Sequence, residues 1–445
     1  MSLLGLKTFR HGVHPPEAKD ATKDLPIRQF PFAPLLTLPL SQHLGKPAKA
    51  VVREGQEVRR GQVVAEPDGF FSVAMHAPAS GVIERIGLAP SIGGQMVPAL
   101  YLAPFPGSTQ EVADGKPCDL QTATPDQILA AIQAAGVVGL GGAAFPTHVK
   151  LKIPEGKSAD TLLINGAECE PYLTTDHRVM LEQTDDIFVG VRYLLKATGA
   201  GRCILGVEEN KPDAVERLRA RLPQDLPASV ESLRVKYPQG AEKMLITALL
   251  GREVPSGGLP LDAHALCVNV ATCAEIGRLL PHGRGIQERV ITITGPAVEK
   301  KGNYRIPIGT PLRFLLDYVG VAADVNRVFL GGPMMGAAAP SLDIPITKGT
   351  SGVTAFRDLE AERTHAQVFP CIRCGYCLDA CPIFLNPAEL GLLARNREYQ
   401  RMASERRLMD CFECGSCSYV CPAHIPLVQQ FRAAKAAVRK AGAPR

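Results

Sequence analysis

CIRCGYCLDACP, residues 371–382, places four cysteines and a proline within twelve positions, and CFECGSCSYVCP, residues 411–422, repeats the arrangement forty residues later. Both read C-x2-C-x2-C-x3-C-P. The 445-residue chain has 13 cysteines, and these two runs hold eight of them. In a small secreted protein such a count would spell disulfides; in a long chain with C-x-x-C spacing it spells metal. Zinc is satisfied by two C-x-x-C knuckles per ion and has no use for a third cysteine two residues further on.

The spacing is that of two-cluster bacterial ferredoxins, in which three close cysteines wrap one face of a cubane and the fourth ligates the other cluster. On that pattern Cys371, Cys374, Cys377 and Cys421 hold one [4Fe–4S] cluster, and Cys411, Cys414, Cys417 and Cys381 hold the second. The fourth cysteine of each run is expected at the start of the following helix. Gly375 and Gly415 fall where the backbone must fold tightly round inorganic sulfur. Two such clusters form a wire, and a wire implies an electron source and a sink.

Composition bounds the rest. With 46% hydrophobic and 21% charged residues, the chain is a folded protein of several domains. A net charge of +5, 5% aromatics and no tryptophan give nucleic-acid binding little support. No window approaches the ~20 uninterrupted apolar residues of a membrane helix. The N-terminus, MSLLGLKTFRHGVHPPEAKD, lacks the apolar core and cleavage site of a signal peptide. The chain is therefore expected in the cytosol or on the cytosolic side of a membrane.

Two loops upstream point to a nucleotide. PDQILAAIQAAG, ending at Gly136, has helical periodicity and a glycine stop. Gly139, Gly141 and Gly142 then let the backbone approach an anion, Pro146 and Thr147 suit the start of another helix, and Lys150 adds positive charge. A glycine-rich turn alone more often just reverses the chain. The second loop, TLLINGAECEPYLTTDHRVM (161–180), begins as a buried strand and delivers Asn165, Glu168 and Glu170 at its C-terminal end. Carboxylates beside an asparagine there are placed to grip sugar hydroxyls. Either carboxylate alone would read as part of a solvated loop.

Together the loops, GGAAFP and NGAECEP, resemble those of the flavin-binding subunit of respiratory NADH dehydrogenases. They resemble still more closely the C subunits of the Rnf family of ion-translocating ferredoxin:NAD oxidoreductases. That likeness also includes GVHPPE (12–17), PLSQHLG (39–45), GAECEPY (166–172), EENKP (208–212) and both cysteine runs. The resemblance implies that Gly139, Gly141, Gly142, Lys150, Asn165 and Glu168 cradle FMN, and that Phe145 and Glu170 face NAD(H). It adds Glu242 as a further nucleotide contact and Asn269 beside the flavin. Ala144 stands where the family usually has glycine, and its methyl is expected to narrow the approach to the flavin or its phosphate. Val268 replaces a second asparagine.

The other pieces are bounded less sharply. Residues 45–86 alternate and are punctuated by glycines, similar to the barrel-sandwich fold of lipoyl and biotinyl carriers. No lysine lies between Arg60 and Arg85, so a carrier role is not expected. GGPMMG (331–336) reads as a turn against the cluster domain, with Met334 and Met335 as packing residues. Cys118, Cys169, Cys203, Cys267 and Cys273 show no ligand spacing and read as small apolar residues. Arg432, Lys435, Arg439 and Lys440 read as the wet face of a terminal helix, where anionic lipid or a membrane partner is a further option.

The expectation is a multidomain α/β and β protein. It comprises an N-terminal segment with a barrel-sandwich hybrid (1–110), an α/β FMN/NADH-binding domain (120–285), a β-grasp, SLBB-like domain (286–358), a two-[4Fe–4S] ferredoxin-like α-helical domain (366–428) and a basic tail (429–445). The resemblance implies a peripheral electron-input subunit on the cytoplasmic face of the bacterial inner membrane. It would pass electrons between NAD(H), FMN and the clusters to or from membrane-embedded subunits, and through them a ferredoxin or flavodoxin. A cobalamin-type reductase and a wiring subunit that binds no nucleotide are the alternatives.

Overall fold

The computed structural model describes residues 6–357 and 367–442. Its centre is a four-stranded parallel sheet in the order Ala228–Leu233, Arg202–Glu208, Thr161–Gly166, Ala265–Asn269. Parallel strands need crossover helices, which bury both faces of the sheet. Thr161–Gly166 shows this: Leu162 and Ile164 join the core that holds Ile187, Val191 and Ile276, whereas Leu163 joins Leu245 and Leu249 of the opposite helix. Asn165 and Asn269 come out side by side at the C-terminal ends of two neighbouring strands. Ligands of open α/β sheets bind at such ends.

The barrel-sandwich domain has two antiparallel sheets. Leu36–Pro39, Met96–Pro104, Gly81–Pro90 and Glu57–Val58 form one, and Lys49–Ala50, Val63–Glu66 and Met75–His76 the other. Leu38, Val64, Met75, Ile83, Leu100 and Leu102 fill the space between them. The hairpin between Val63–Glu66 and Met75–His76 carries Asp68, Gly69, Phe70 and Phe71 where a carrier would need its lysine.

The β-grasp unit is a six-stranded sheet covered by the helix Leu312–Val319, whose Leu312, Leu315, Leu316 and Val319 are buried on it. Its edge strand comes from far away: Ile27–Gln29 pairs in parallel with Gly302–Pro307. The same N-terminal segment bridges to the flavin-type domain at Lys7 with Leu233 and at Val13 with Tyr237. Residues ahead of Leu36 thus form a strap that pairs with other domains.

The cluster domain is a repeat down to its backbone. Arg373 and Glu413, Gly375 and Gly415, and Phe384 and His424 are three pairs forty residues apart, and every member has a positive φ. Two sequence expectations fail here. Cys381 caps the C-terminus of the helix Tyr376–Ala380, and Cys421 follows the helix Ser416–Tyr419, so neither begins the next helix. Nor are residues 429–440 a tail: the helix Leu427–Lys440 packs Phe431, Ala434 and Val438 inward, and Lys435 is buried. Among the described residues no helix is long and apolar enough to cross a membrane.

Candidate functional site

The glycine loop is closed on itself by Gly139 N–H to Phe145 O at 2.8 Å and Ala144 N–H to Gly139 O at 3.1 Å. Leu140 is anchored from two domains: its N–H donates to Thr272 Oγ1 at 2.9 Å, and its carbonyl accepts from Arg289 Nη2 at 2.8 Å. Arg289 is fully buried on a β-grasp strand, and burial draws its pKa down to about 10. The exposed crest is left to Gly141, Gly142 and Ala143. Gly142 has φ +108° with open space beside it, and a Cβ on Gly141 would lie 3.5 Å from that of Asn269. Ala144 takes φ +49°, the left-handed region where glycine is at ease. Its methyl lies beside Gly349 of the β-grasp domain, and the carbonyl of Gly142 borders the same space.

From that loop a chain of contacts closes a ring. Gly141 meets Asn269; Asn269 stands beside Asn165; Asn165 Nδ2 donates to Gly240 O at 2.8 Å. Two residues on, Glu242 pairs with Lys150 at 2.7 Å, and Lys150 lies on the short helix that follows the glycine loop. Burial works against the charge on Lys150, but Glu242 outweighs it and the pKa lies above the ordinary lysine value. Phe145 is half-buried at the loop's end. Gly142 at positive φ, a cation on the following short helix and two asparagines at neighbouring strand ends are features that fit a flavin mononucleotide.

The two acidic residues of the second loop sit differently. Glu168 accepts from Asp176 N–H at 2.9 Å and His177 N–H at 3.3 Å, capping the helix Thr175–Glu182. Glu170 Oε1 accepts from Met334 N–H at 2.6 Å and Met335 N–H at 3.1 Å, gripping the GGPMMG turn. Burial raises the Glu170 pKa, and those two amides pull against it. Beneath the loop, Lys19 donates to the carbonyls of Glu168 and Glu170, both at 2.9 Å, and to Leu173 O. Sequence reasoning misses Lys19 and Arg289. Arg289 leaves only a weak signal, a charge beside Glu288 at the start of the buried strand Glu288–Thr294.

The cysteines fall into crossed sets. Cys411, Cys414, Cys417 and Cys381 line one cavity, with Leu385, Val428 and Phe431 as apolar walls. Cys377 lies within electrostatic reach of Cys374, Cys421 and Cys371. Among the described residues no three Cys, His, Asp or Glu side chains close round a single ion. Four thiols facing a shared apolar space, with the Glu413 N–H 3.4 Å from Cys411 Sγ, fit a cubane with amide donors to its sulfur. Lys435 donates to Cys411 O and pairs with Glu413 at 3.0 Å, while Arg432 pairs with Glu413 at 3.2 Å. Of the four cations expected on a wet face, Arg432 and Lys435 therefore clamp a cluster loop, while Arg439 and Lys440 are exposed.

This inner set abuts the flavin-type domain. Tyr237 O–H donates to Cys414 O at 2.6 Å, and a Cβ on Gly415 would approach Met334 O to 3.0 Å, so the GGPMMG turn does pack on the cluster domain. Met334 shares the buried contact with Tyr237 and Cys414, whereas Met335 is 44% exposed and is no packing residue. Cys371 and Cys374 of the other set are exposed, flanked by exposed Phe369, Ile372 and Tyr376. Of the remaining cysteines Cys203, Cys267 and Cys273 are buried, and Cys118 and Cys169 half-buried.

A parallel sheet with a glycine loop at its strand ends, joined to two sets of four cysteines, defines a flavin and iron–sulfur electron-transfer protein. Residues 132–278 match the Nuo51 FMN-binding domain, 7–104 the RnfC barrel sandwich hybrid domain, 290–338 the SLBB domain and 367–425 the 4Fe-4S dicluster domain. The chain is 41% identical over 440 residues to the C subunit of the proton-translocating ferredoxin:NAD(+) oxidoreductase complex of Clostridium ljungdahlii, covering 98% of this chain and 95% of that one. It is 40% identical to the Na(+)-translocating counterpart of Acetobacterium woodii, over 96% of each chain. The C subunit of the Pseudomonas aeruginosa ion-translocating oxidoreductase complex is 39% identical over 98% of this chain and 56% of its own length. The chain belongs to this family of C subunits. Its fold is similar to a chain of an NAD+-reducing [NiFe]-hydrogenase, at TM-score 0.50 and 19% identity over 77% of this chain and 74% of that one.

Proposed function

We propose that the chain is the electron-input subunit of an ion-translocating ferredoxin:NAD oxidoreductase complex, carrying electrons between NAD(H), FMN and two [4Fe–4S] clusters. FMN supplies the conversion between a two-electron hydride and single electrons that iron–sulfur clusters accept. The residues of this chain bind, orient and shield. Gly139, Gly141, Gly142 and Lys150 are assigned to the flavin phosphate, and Asn165, Glu168 and Asn269 to holding the strand ends on which the flavin rests. Phe145 and Glu170 are assigned to the nicotinamide side, and Glu242 to a further nucleotide contact. Since Glu170 also grips the turn at Met334, it ties the nucleotide site to the cluster domain.

The observation that carries this reading is the contact between Tyr237 and Cys414, three residues from Gly240 in the ring and inside the inner cysteine set. It sets the inner cluster against the flavin domain and leaves the outer one facing solvent. Electrons are then assigned an order: NAD(H), FMN, the 411/414/417/381 cluster, the 371/374/377/421 cluster, and a partner protein. Membrane-embedded partners are assigned the ion path. The chain is placed as a peripheral subunit on the cytoplasmic face of the membrane, with a ferredoxin or flavodoxin reached through those partners.

Anaerobic reconstitution with iron, sulfide and FMN, followed by NADH titration, tests the reading. Bleaching of flavin absorbance followed by a reduced-cluster EPR signal is expected. A bound flavin that ignores NADH would count against it and favour a wiring subunit. Glu170→Gln is expected to weaken NADH use while both clusters assemble; unchanged kinetics would remove Glu170 from the nucleotide side.

A further inference from the structure

Asp176 is half-buried, and the electron path assigned above does not use it, yet it touches two of the residues that hold the flavin strand ends. Its backbone N–H donates to Glu168 Oε1 at 2.9 Å, and its Oδ2 accepts from Asn269 Nδ2 at 2.7 Å. The amide of Asn269 is pinned. Its Oδ1 accepts from Ala271 N–H at 3.0 Å and Thr272 N–H at 3.2 Å, capping the helix Val270–Leu279, which leaves Nδ2 for Asp176. A Cβ on Gly141 would lie 3.4 Å from that same Nδ2. One amide group therefore separates Asp176 from the crest of the glycine loop. Among the described residues Asn269 alone donates to the carboxyl, and only to Oδ2.

The charges around Asp176 are mixed. Glu168 faces it from the acidic loop, Lys19 from the N-terminal strap and Arg289 from the β-grasp strand, with Glu275 of the helix Val270–Leu279 beside Arg289. His177, the next residue, pairs with Asp213 at 2.8 Å. Burial, with the neighbouring Glu168 charge, pushes the Asp176 pKa up to about 7, against the pull of Asn269, Arg289 and Lys19. A carboxyl in these surroundings changes its charge near neutral pH.

A hydride brings the site two electrons and one proton, and so one net negative charge in surroundings where charge is costly. We propose that Asp176 offsets it, taking one proton from solvent at Oδ1 as the hydride arrives and returning it as two electrons leave for the clusters. Over one passage one proton is taken up and two are released, which balances NADH → NAD+ + H+ + 2e−. The reverse flow runs the same exchange backwards. The inference rests on the FMN and NAD(H) reading above and gives that site its proton-exchanging group.

The test uses the full chain loaded with FMN and both clusters and follows the flavin midpoint potential against pH by mediated spectroelectrochemistry, which needs no NADH. Asp176→Asn keeps an acceptor for Asn269 but cannot take the proton. Above about pH 7 its potential should fall with pH less steeply than that of the unaltered chain, by one proton per two electrons. That is a tenfold step in the equilibrium constant, or about 30 mV, for each pH unit. Below about pH 6 the two slopes should coincide. Equal slopes throughout would overturn the proposal. If Asp176→Asn holds no FMN, reduced-minus-oxidised infrared spectra of the unaltered chain and of Glu170→Gln decide the matter at about pH 8. A protonated-carboxyl band that grows on reduction in both supports Asp176; no band, or a band lost with Glu170, overturns it. An unaltered chain that binds no FMN would defeat the flavin reading itself, so the two failures are told apart.

Discussion

The two cysteine runs share spacing, glycines and backbone turns, but not surroundings. The loop of the second run is covered: Tyr237 caps Cys414, the Met334 turn leans on Gly415, and Lys435 and Arg432 close over Cys411 and Glu413. The loop of the first run lies open, with Cys371 and Cys374 exposed. A local motif is enough to hold a cluster, whereas its place in a circuit comes from what packs on the loop. Solvent access and hydrogen bonding also set cluster potential, so the two sites are expected to differ electronically despite their matched ligands.

The change expected to disturb that asymmetry most is Lys435→Met, which removes a buried ammonium from Cys411 O and leaves Glu413 short of a partner. It should cost about 3 kcal/mol and lose inner-cluster iron. Forty residues earlier Arg395 occupies the corresponding position and is exposed, so Arg395→Met should stay within about 0.5 kcal/mol. Denaturant melts with iron counts check both. Next, a chelator should strip the outer cluster roughly tenfold faster than the inner one, because its loop is the solvent-facing one; absorbance at the cluster band follows it. Gly349→Ala probes the packing of the β-grasp domain on the glycine loop. Its new methyl would sit 2.9 Å from that of Ala144, costing about 1–2 kcal/mol, and Ala144→Gly in the same chain should recover most of it. The smallest effect is Tyr237→Phe. Loss of one hydrogen bond should cost about 1 kcal/mol of stability, shift the inner-cluster potential slightly downward and leave the outer cluster in place.

What can be read from the sequence follows how local each constraint is. Cubane ligation works over a dozen neighbouring residues, so C-x2-C-x2-C-x3-C-P is readable down to the crossed sets. Asn165 is readable as a strand-end residue because it follows a short apolar run, whereas Asn269 enters only through the family resemblance. The N-terminal strap is not, since Ile27–Gln29 pairs with Gly302–Pro307 and no local pattern marks so distant a parallel partner. Lys435 is misread because cations at helical spacing look the same whether they meet water or a carbonyl. Glu168 and Glu170 read as ligands by residue type, yet part of their capacity goes to amides at Asp176, His177, Met334 and Met335, elements the sequence does not bring together. The positive φ of Ala144 is equally hidden, because only the neighbouring Gly349 makes room for its methyl.

The order of the wire stands or falls on removing one cluster at a time. Cys374→Ser should lose the outer cluster and Cys414→Ser the inner one, with the remaining cluster followed by EPR after NADH is added anaerobically. NADH is expected still to reduce the inner cluster in Cys374→Ser. In Cys414→Ser the outer cluster should stay oxidised with NADH, although dithionite reduces it. Prompt reduction of the outer cluster by NADH in Cys414→Ser, with the inner one silent in Cys374→Ser, would contradict the order and put the exposed cysteines next to the flavin.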